Sequence, residues 1–110
     1  MADYILLAMT NPADGREDDY NAWFDNHHIP EVLAVPGFKS AQRFELTEEQ
    51  RTPAPHPYRY AAQYEIETNN LSETLVALGE AVQNGTKSDA GDPSHRALWV
   101  FRPRGEKRTA

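Results

Sequence analysis

Two adjacent histidines, His27 and His28, stand just before Pro30 in a stretch that also holds Asn21, Trp23, Phe24 and Asp25. Imidazole titrates near neutral pH, so a positioned histidine can take and return a proton, an effect on the order of 10²–10⁴-fold in rate. Asn21, Phe24 and His28 recur at i, i+3 and i+7, the spacing of one helix face. That makes His28 the candidate general acid–base, Asn21 a candidate amide donor to a developing oxyanion, and Phe24 a candidate substrate contact. Asp25, three residues before His28, is a candidate supporting residue that would fix the imidazole tautomer. A structural reading competes with each role. His28 would cap carbonyls freed by Pro30, Asp25 would be a solvated helix acid, and Trp23 and Phe24 would be core. His27, one residue off this face, is read as surface. The adjacent histidines lack the i, i+4 spacing that puts two metal ligands on one helix face, and Asp25 with His28 makes only two ligands. No metal and no cofactor are expected.

The surrounding pattern says what must position these groups. Tyr4–Met9 is a short apolar run, as in a strand covered on both faces, ended by the turn cluster Asn11–Gly15. A helix over Arg16–His28 has acids in its first turn, where the helix dipole favours them. Ile29 precedes a proline, so that helix is expected to end or kink near His28, with one further turn at Glu31–Val35. From Phe38 to Leu46 the residues alternate. Phe38, Ser40, Gln42, Phe44 and Leu46 are expected on one face, and Lys39, Ala41, Arg43 and Glu45 on the other. A proline-rich loop, 47–57, carries His56. Tyr58, Tyr60 and Tyr64 share a face of a third strand, Tyr58–Ile66. A second helix, Leu71–Gln83, presents Leu71, Leu75, Leu78 and Val82 as its stripe, capped by Ser72, with Asn69 and Asn70 as alternatives. A polar loop, 84–93, leads to a last strand, Arg96–Arg102, where Trp99 alternates with Ala97 and Phe101.

The order β-α-β-β-α-β is the ferredoxin-like, split βαβ arrangement, an α+β fold with a four-stranded antiparallel sheet and two helices on one face. The bare sheet face calls for a partner, and a second copy is the simplest one. Residues 1–103 are expected to form one domain, with 104–110 a basic tail. The chain carries 17 acidic and 11 basic residues, for a formal charge of −6, which argues against nucleic acid or an anionic membrane as partner. It has no cysteine, which removes disulfides and thiolate chemistry. With no stretch long enough to span a bilayer, a cytoplasmic protein is expected.

Asn11-Pro12 and Gly15, Tyr20-Asn21-x-Trp23-Phe24-Asp25-x-x-His28-x-Pro30, Pro36-Gly37-Phe38 and Ala41-x-Arg43-Phe44 together resemble the EthD-like proteins of the dimeric α+β barrel superfamily. The motifs cover the first half of the chain, and element order alone covers the rest. The resemblance implies a homodimer with a pocket between helices and sheet in each protomer, and places His28 at its mouth as the His-x-Pro histidine. Tyr60 then becomes a candidate catalytic phenol. Tyr4, Tyr58, Tyr64, Arg43, Trp99 and His56 become candidate substrate contacts. The structural reading packs at least two of the strand tyrosines in the dimer barrel, pairs Arg43 with Glu45 or Glu65 at the sheet edge, and leaves His56 and His95 exposed. The expected activity is cofactor-free acid–base chemistry, by a lyase, dehydratase, cyclase or isomerase, on a small aromatic or phenolic substrate, such as one from aromatic or lignin-derived catabolism. The alternatives are a cofactor-independent or haem-linked monooxygenase of the same fold, and a non-catalytic small-molecule-binding dimer.

Overall fold

A computed structural model describes all 110 residues. Four strands, β1 (Ala2–Pro12), β2 (Phe38–Glu45), β3 (Tyr60–Thr68) and β4 (Gly91–Phe101), form one antiparallel sheet in the order β2-β3-β1-β4. The helices are α1 (Glu17–Trp23), α2 (Ile29–Leu33) and α3 (Leu71–Asn84). The ferredoxin-like α+β fold read from the element order is the one observed. No helix is long and apolar enough to cross a membrane.

The alternation along β1 and β3 decides what is core. Tyr4, Leu6, Ala8 and Thr10 pair with Ile66, Tyr64, Ala62 and Tyr60. Leu6, Ala8, Ala62, Tyr64 and Ile66 are buried together with Tyr20, Phe24, Val32 and Val35 of the helical segment. The strand tyrosines Tyr60 and Tyr64 therefore face the helices, not the dimer barrel. Across the pleat, Ile5, Leu7 and Met9 pair with Phe101, Trp99 and Ala97 on a face that nothing covers. Trp99 is 55% exposed there and Phe101 48%, so Trp99 lines neither the core nor a helix-side pocket. Its pairing with Leu7 fixes that, because successive strand residues point to opposite faces. The radius of gyration is 15.1 Å, against about 13 Å for a compact domain of this length.

Three expectations about element geometry are corrected. The helix does not end at His28. Phe24–His28 form a π-turn and every residue flanking it is helical, so α1, the π-turn and α2 run on without a break. Pro30 cannot donate to the carbonyl of Asn26 and its ring would clash with it. A turn widened by one residue removes the conflict, with the Ile29 N–H reaching Phe24 O, five residues back. In β2, Phe38 pairs with Ile66 but Ser40 already pairs with Glu65. Two residues of β2 therefore oppose one of β3, and this bulge at Lys39 reverses the faces beyond it. Ala41 and Arg43 point to the helices, while Phe44 is 46% exposed on the outer face. Lastly, β4 begins at Gly91, so the preceding loop is shorter than the polar composition suggests, and Tyr58 precedes β3.

Asn70, not Ser72, is the cap of α3, its Oδ1 accepting from the Glu73 N–H at 3.2 Å, and Ser72 lies inside the first turn. The buried Thr74 on the next turn donates to Thr68 Oγ1 at 2.8 Å. The face of α3 that meets the core is Ala77, Leu78 and Ala81, a rotation from the leucine stripe that leaves Val82 45% exposed. Replacing Asn70 with alanine is expected to lower stability by about 1 kcal/mol, read from urea unfolding at fixed protein concentration. An unchanged midpoint would mean the cap contributes nothing.

Candidate active site

The π-turn sets the site. In a regular α-helix, residues five apart point about 140° away from each other. In a π-turn, whose hydrogen bond spans five residues, they lie one above the other. Trp23 and His28 do so here, with ring centroids 4.7 Å apart and planes 23° from parallel. Phe24 meets the same imidazole edge-on at 4.9 Å. Tyr20, Trp23, Phe24, His28 and Val32 thus form one wall of a cavity of about 290 Å³. Leu6, Ala8, Tyr64 and Leu98 of the sheet form the other, and Leu78 and Val82 of α3 close the side. The volume lies at the lower end of small-molecule sites, and the lining is mostly apolar with a few convergent polar groups, as such sites are.

His28 is half-buried in that wall, and its ring has no hydrogen-bond partner. It caps nothing. Burial holds its pKa below the ordinary 6.5, and Arg43 adds to the effect while Glu31 opposes it. Neutral imidazole is therefore the form present at pH 7. Tyr64, 2% exposed, keeps its hydroxyl without a partner, and burial pushes its pKa up. Burial also raises that of Tyr20, whose hydroxyl meets Thr10 Oγ1. Both phenols stay protonated. The site thus holds one unpartnered base and one unpartnered neutral donor.

Other candidates lie elsewhere. Asp25 does not reach His28; its Oδ1 accepts from Arg43 Nη1 at 3.1 Å. Arg43 is not at the sheet edge with Glu45 or Glu65. The bulge in β2 turns it inward, where its guanidinium lies 4.4 Å from the Phe24 ring centre, 5.2 Å from Tyr60 and 5.5 Å from Tyr20, with 16% of its side chain exposed. Cation–π contact and the Asp25 ion pair hold it, yet its Nε and Nη2 are buried without partners, as is Asn21 Oδ1. Asn21 Nδ2 donates to the Tyr60 hydroxyl at 3.3 Å. Asn21, Tyr60 and Arg43 thus sit behind Tyr20 and Phe24, outside the cavity lining, because the π-turn puts Trp23 where a regular helix would put Asn21. Tyr4 packs against the core away from the cavity. Tyr58 lies beside Leu46 and Met9. His56 is held in its loop by Thr52 O at 3.0 Å. Tyr20 and Trp23 were missed as cavity residues for the same reason that Asn21 was included. No three His, Asp or Glu side chains converge as a metal site would require.

Residues 4–91 match the model of a family described as a domain of unknown function, DUF4286. The chain belongs to that family. No curated protein sequence matches it. Among solved structures, this DUF4286 protein is similar to an ethyl tert-butyl ether D (EthD) family protein from Bacillus halodurans C-125, at 12% identity over 94% of this chain and 100% of that one, with a TM-score of 0.63. It is similar to the heme-degrader MhuD from Mycobacterium tuberculosis, solved with two hemes in its active site, at 14% identity over 96% and 99% of the chains, TM-score 0.64. It is also similar to SnoaB, a cofactor-independent oxygenase from Streptomyces nogalater, at 8% identity over 96% and 97%, TM-score 0.57. These likenesses show the fold: the ferredoxin-like α+β arrangement of this chain is the one those proteins share.

A lowered pKa has consequences for pH. The unfolded chain binds a proton at His28 near pH 6.5 and the folded chain only at lower pH, so stability from this group is complete above about 6.5 and declines as pH falls through that window. Proton NMR titration is expected to place the His28 imidazole below 6.5, and E31Q to move it lower still, since the carboxylate is the group that favours the charged ring. A value at or above 6.5 would contradict the burial described.

Proposed function

We propose that this protein is a cofactor-free acid–base enzyme of the lyase, dehydratase, cyclase or isomerase type, acting on a small aromatic or phenolic molecule, with His28 as the proton carrier. The observation that supports this most is the pairing of an unpartnered, neutral imidazole with an unpartnered buried phenol, Tyr64, on the walls of one apolar cavity. A planar ring would lie against Leu6, Ala8 and Leu98, opposite Trp23 and Phe24. Neutral His28 would accept a proton from the substrate's hydroxyl or activated C–H. Tyr64 would donate a hydrogen bond to the oxygen on which charge develops, as in an oxyanion hole. His28 would then return the proton to carbon or to the leaving group. Arg43 is a positioning residue in this scheme, since its charge lies behind Tyr20 and Phe24 and favours negative charge on that side of the cavity.

The same first step serves a cofactor-independent oxygenase, in which the deprotonated phenol reduces oxygen itself. SnoaB, with the same fold, is described as such an oxygenase. A haem-linked version has less support. His28 lacks the hydrogen-bonded partner that orients metal-binding histidines.

The outer sheet face, with Ile5, Leu7, Met9, Phe44, Trp99 and Phe101, supports a homodimer packed sheet to sheet. Trp99→Lys is expected to give a monomer in light scattering, and a dimer that survives would refute that packing. In a screen of phenolic compounds, H28Q is expected to lose about 10²–10⁴-fold in kcat/KM, with Y64F losing less. Oxygen uptake separates the two chemistries: none during turnover supports acid–base chemistry, while stoichiometric uptake supports the oxygenase. Ligand binding unaltered in H28Q, with no turnover in either protein, would leave a binding module.

A further inference from the structure

The cavity opens beside His28 into a second cleft of about 260 Å³, and the two share Trp23, His28, Val32, Val82, Ser88 and Arg96. Charge at this junction is unevenly committed. Glu31, in the cleft, accepts the Thr86 N–H with both oxygens, at 2.8 and 3.1 Å. Asp92, in the cavity wall, accepts from the Ser94 N–H at 2.9 Å and the Ser94 hydroxyl at 2.6 Å, with His95 Nδ1 3.7 Å away. Lys87 donates to the Val82 and Gln83 carbonyls at the end of α3. Arg96 alone among these charged groups has neither an ion pair nor a hydrogen bond. It lies opposite Thr10 in the β1–β4 ladder, on the helix face of the sheet and so away from the apolar outer face.

A chain with six more acids than bases (17 against 11) has carboxylates available for a surface arginine. At the junction both local carboxylates are instead tied to backbone and hydroxyl donors. A guanidinium presents a planar fork of donors that matches a carboxylate with two parallel bonds. Beside it Lys87 adds positive charge without competing for the same geometry. Tyr64 lies on the far strand of the cavity floor, paired with Leu6, four residues along β1 from the Thr10 that pairs with Arg96. The floor therefore offers a donor for a neutral or partly charged oxygen at one corner and a cation at the other, with apolar surface between.

We propose that the ligand of this cavity is an aromatic carboxylate, its ring between Trp23 and the sheet and its carboxylate on Arg96 at the junction with the cleft. This inference rests on the reading of the cavity as a small-aromatic site and adds the anionic group. The test is calorimetric titration of the full chain with 1-naphthoate and with 1-naphthalenemethanol, which share a ring system and differ in charge. The wild-type protein is expected to bind the acid at least tenfold more tightly, with the difference shrinking as salt is raised. R96Q is expected to abolish the preference while leaving affinity for the alcohol unchanged. R96K is expected to retain part of it, since a point charge remains but the fork does not. Equal binding of acid and alcohol by the wild type, or a preference that survives in R96Q, would overturn the inference and leave the aromatic site standing. If neither compound binds, the aromatic cavity and the carboxylate site fall together.

Discussion

One missing hydrogen shapes this protein's site. Pro30 has no N–H to give to Asn26, and a proline in a regular helix interior is destabilising by about 3 kcal/mol. The chain neither breaks there nor bends away. It takes one wide turn, Phe24–His28, and continues into α2. The wide turn changes the angular phase of everything before it relative to everything after it. Trp23 comes to lie under His28, and Asn21 and Asp25 swing toward Tyr60 and Arg43. The helix thus supplies a wall with one imidazole set in hydrocarbon. Wide turns of this type recur at functional sites, and here the reason is visible in the stacking it permits.

The sheet beneath is asymmetric in the same useful way. Its helix face is a closed core around Phe38 and Ile66 at one end and an open cavity at the other, where the apolar contact of α3 with the core is through Ala77, Leu78 and Ala81. Its outer face carries large apolar side chains with nothing over them. A domain of this length buries a modest share of its surface on its own, and its radius of gyration exceeds that of a compact chain. A second copy packed on that outer face, as proposed above, would return the cohesion that the cavity forgoes on the other.

Much of this was legible in the residues. The apolar run Tyr4–Met9, the alternation in Tyr58–Ile66 and the acid-rich start of α1 are local patterns, and local patterns gave the order of elements and the fold. What the residues hid were departures of a single residue. The π-turn and the bulge at Lys39 each insert one position into a regular repeat, and neither leaves a compositional mark beyond Pro30 itself. Several side chains placed through those repeats were then misplaced by a face: Asn21 for Trp23, Phe44 for Arg43, Asp25 toward His28 instead of Arg43. The place of His28 in the cavity wall was legible because Phe24 lies within the turn and Pro30 just beyond it. Trp99 was ambiguous because a strand at the edge of the sheet shows the same alternation whichever way it faces.

The bulge in β2 also gives that strand a reading frame. From Ser40 onward each residue owes its side of the sheet to the extra position at Lys39. Removing Lys39 itself would restore plain alternation and leave Ala41 and Arg43 facing the helices, whereas removing a residue beyond the bulge, such as Gln42, would carry Arg43 out to the apolar face and bring Phe44 in. In this protein, then, variation in length within β2 beyond the bulge is a change of content on both faces at once, and substitutions are the milder route by which the strand can diverge.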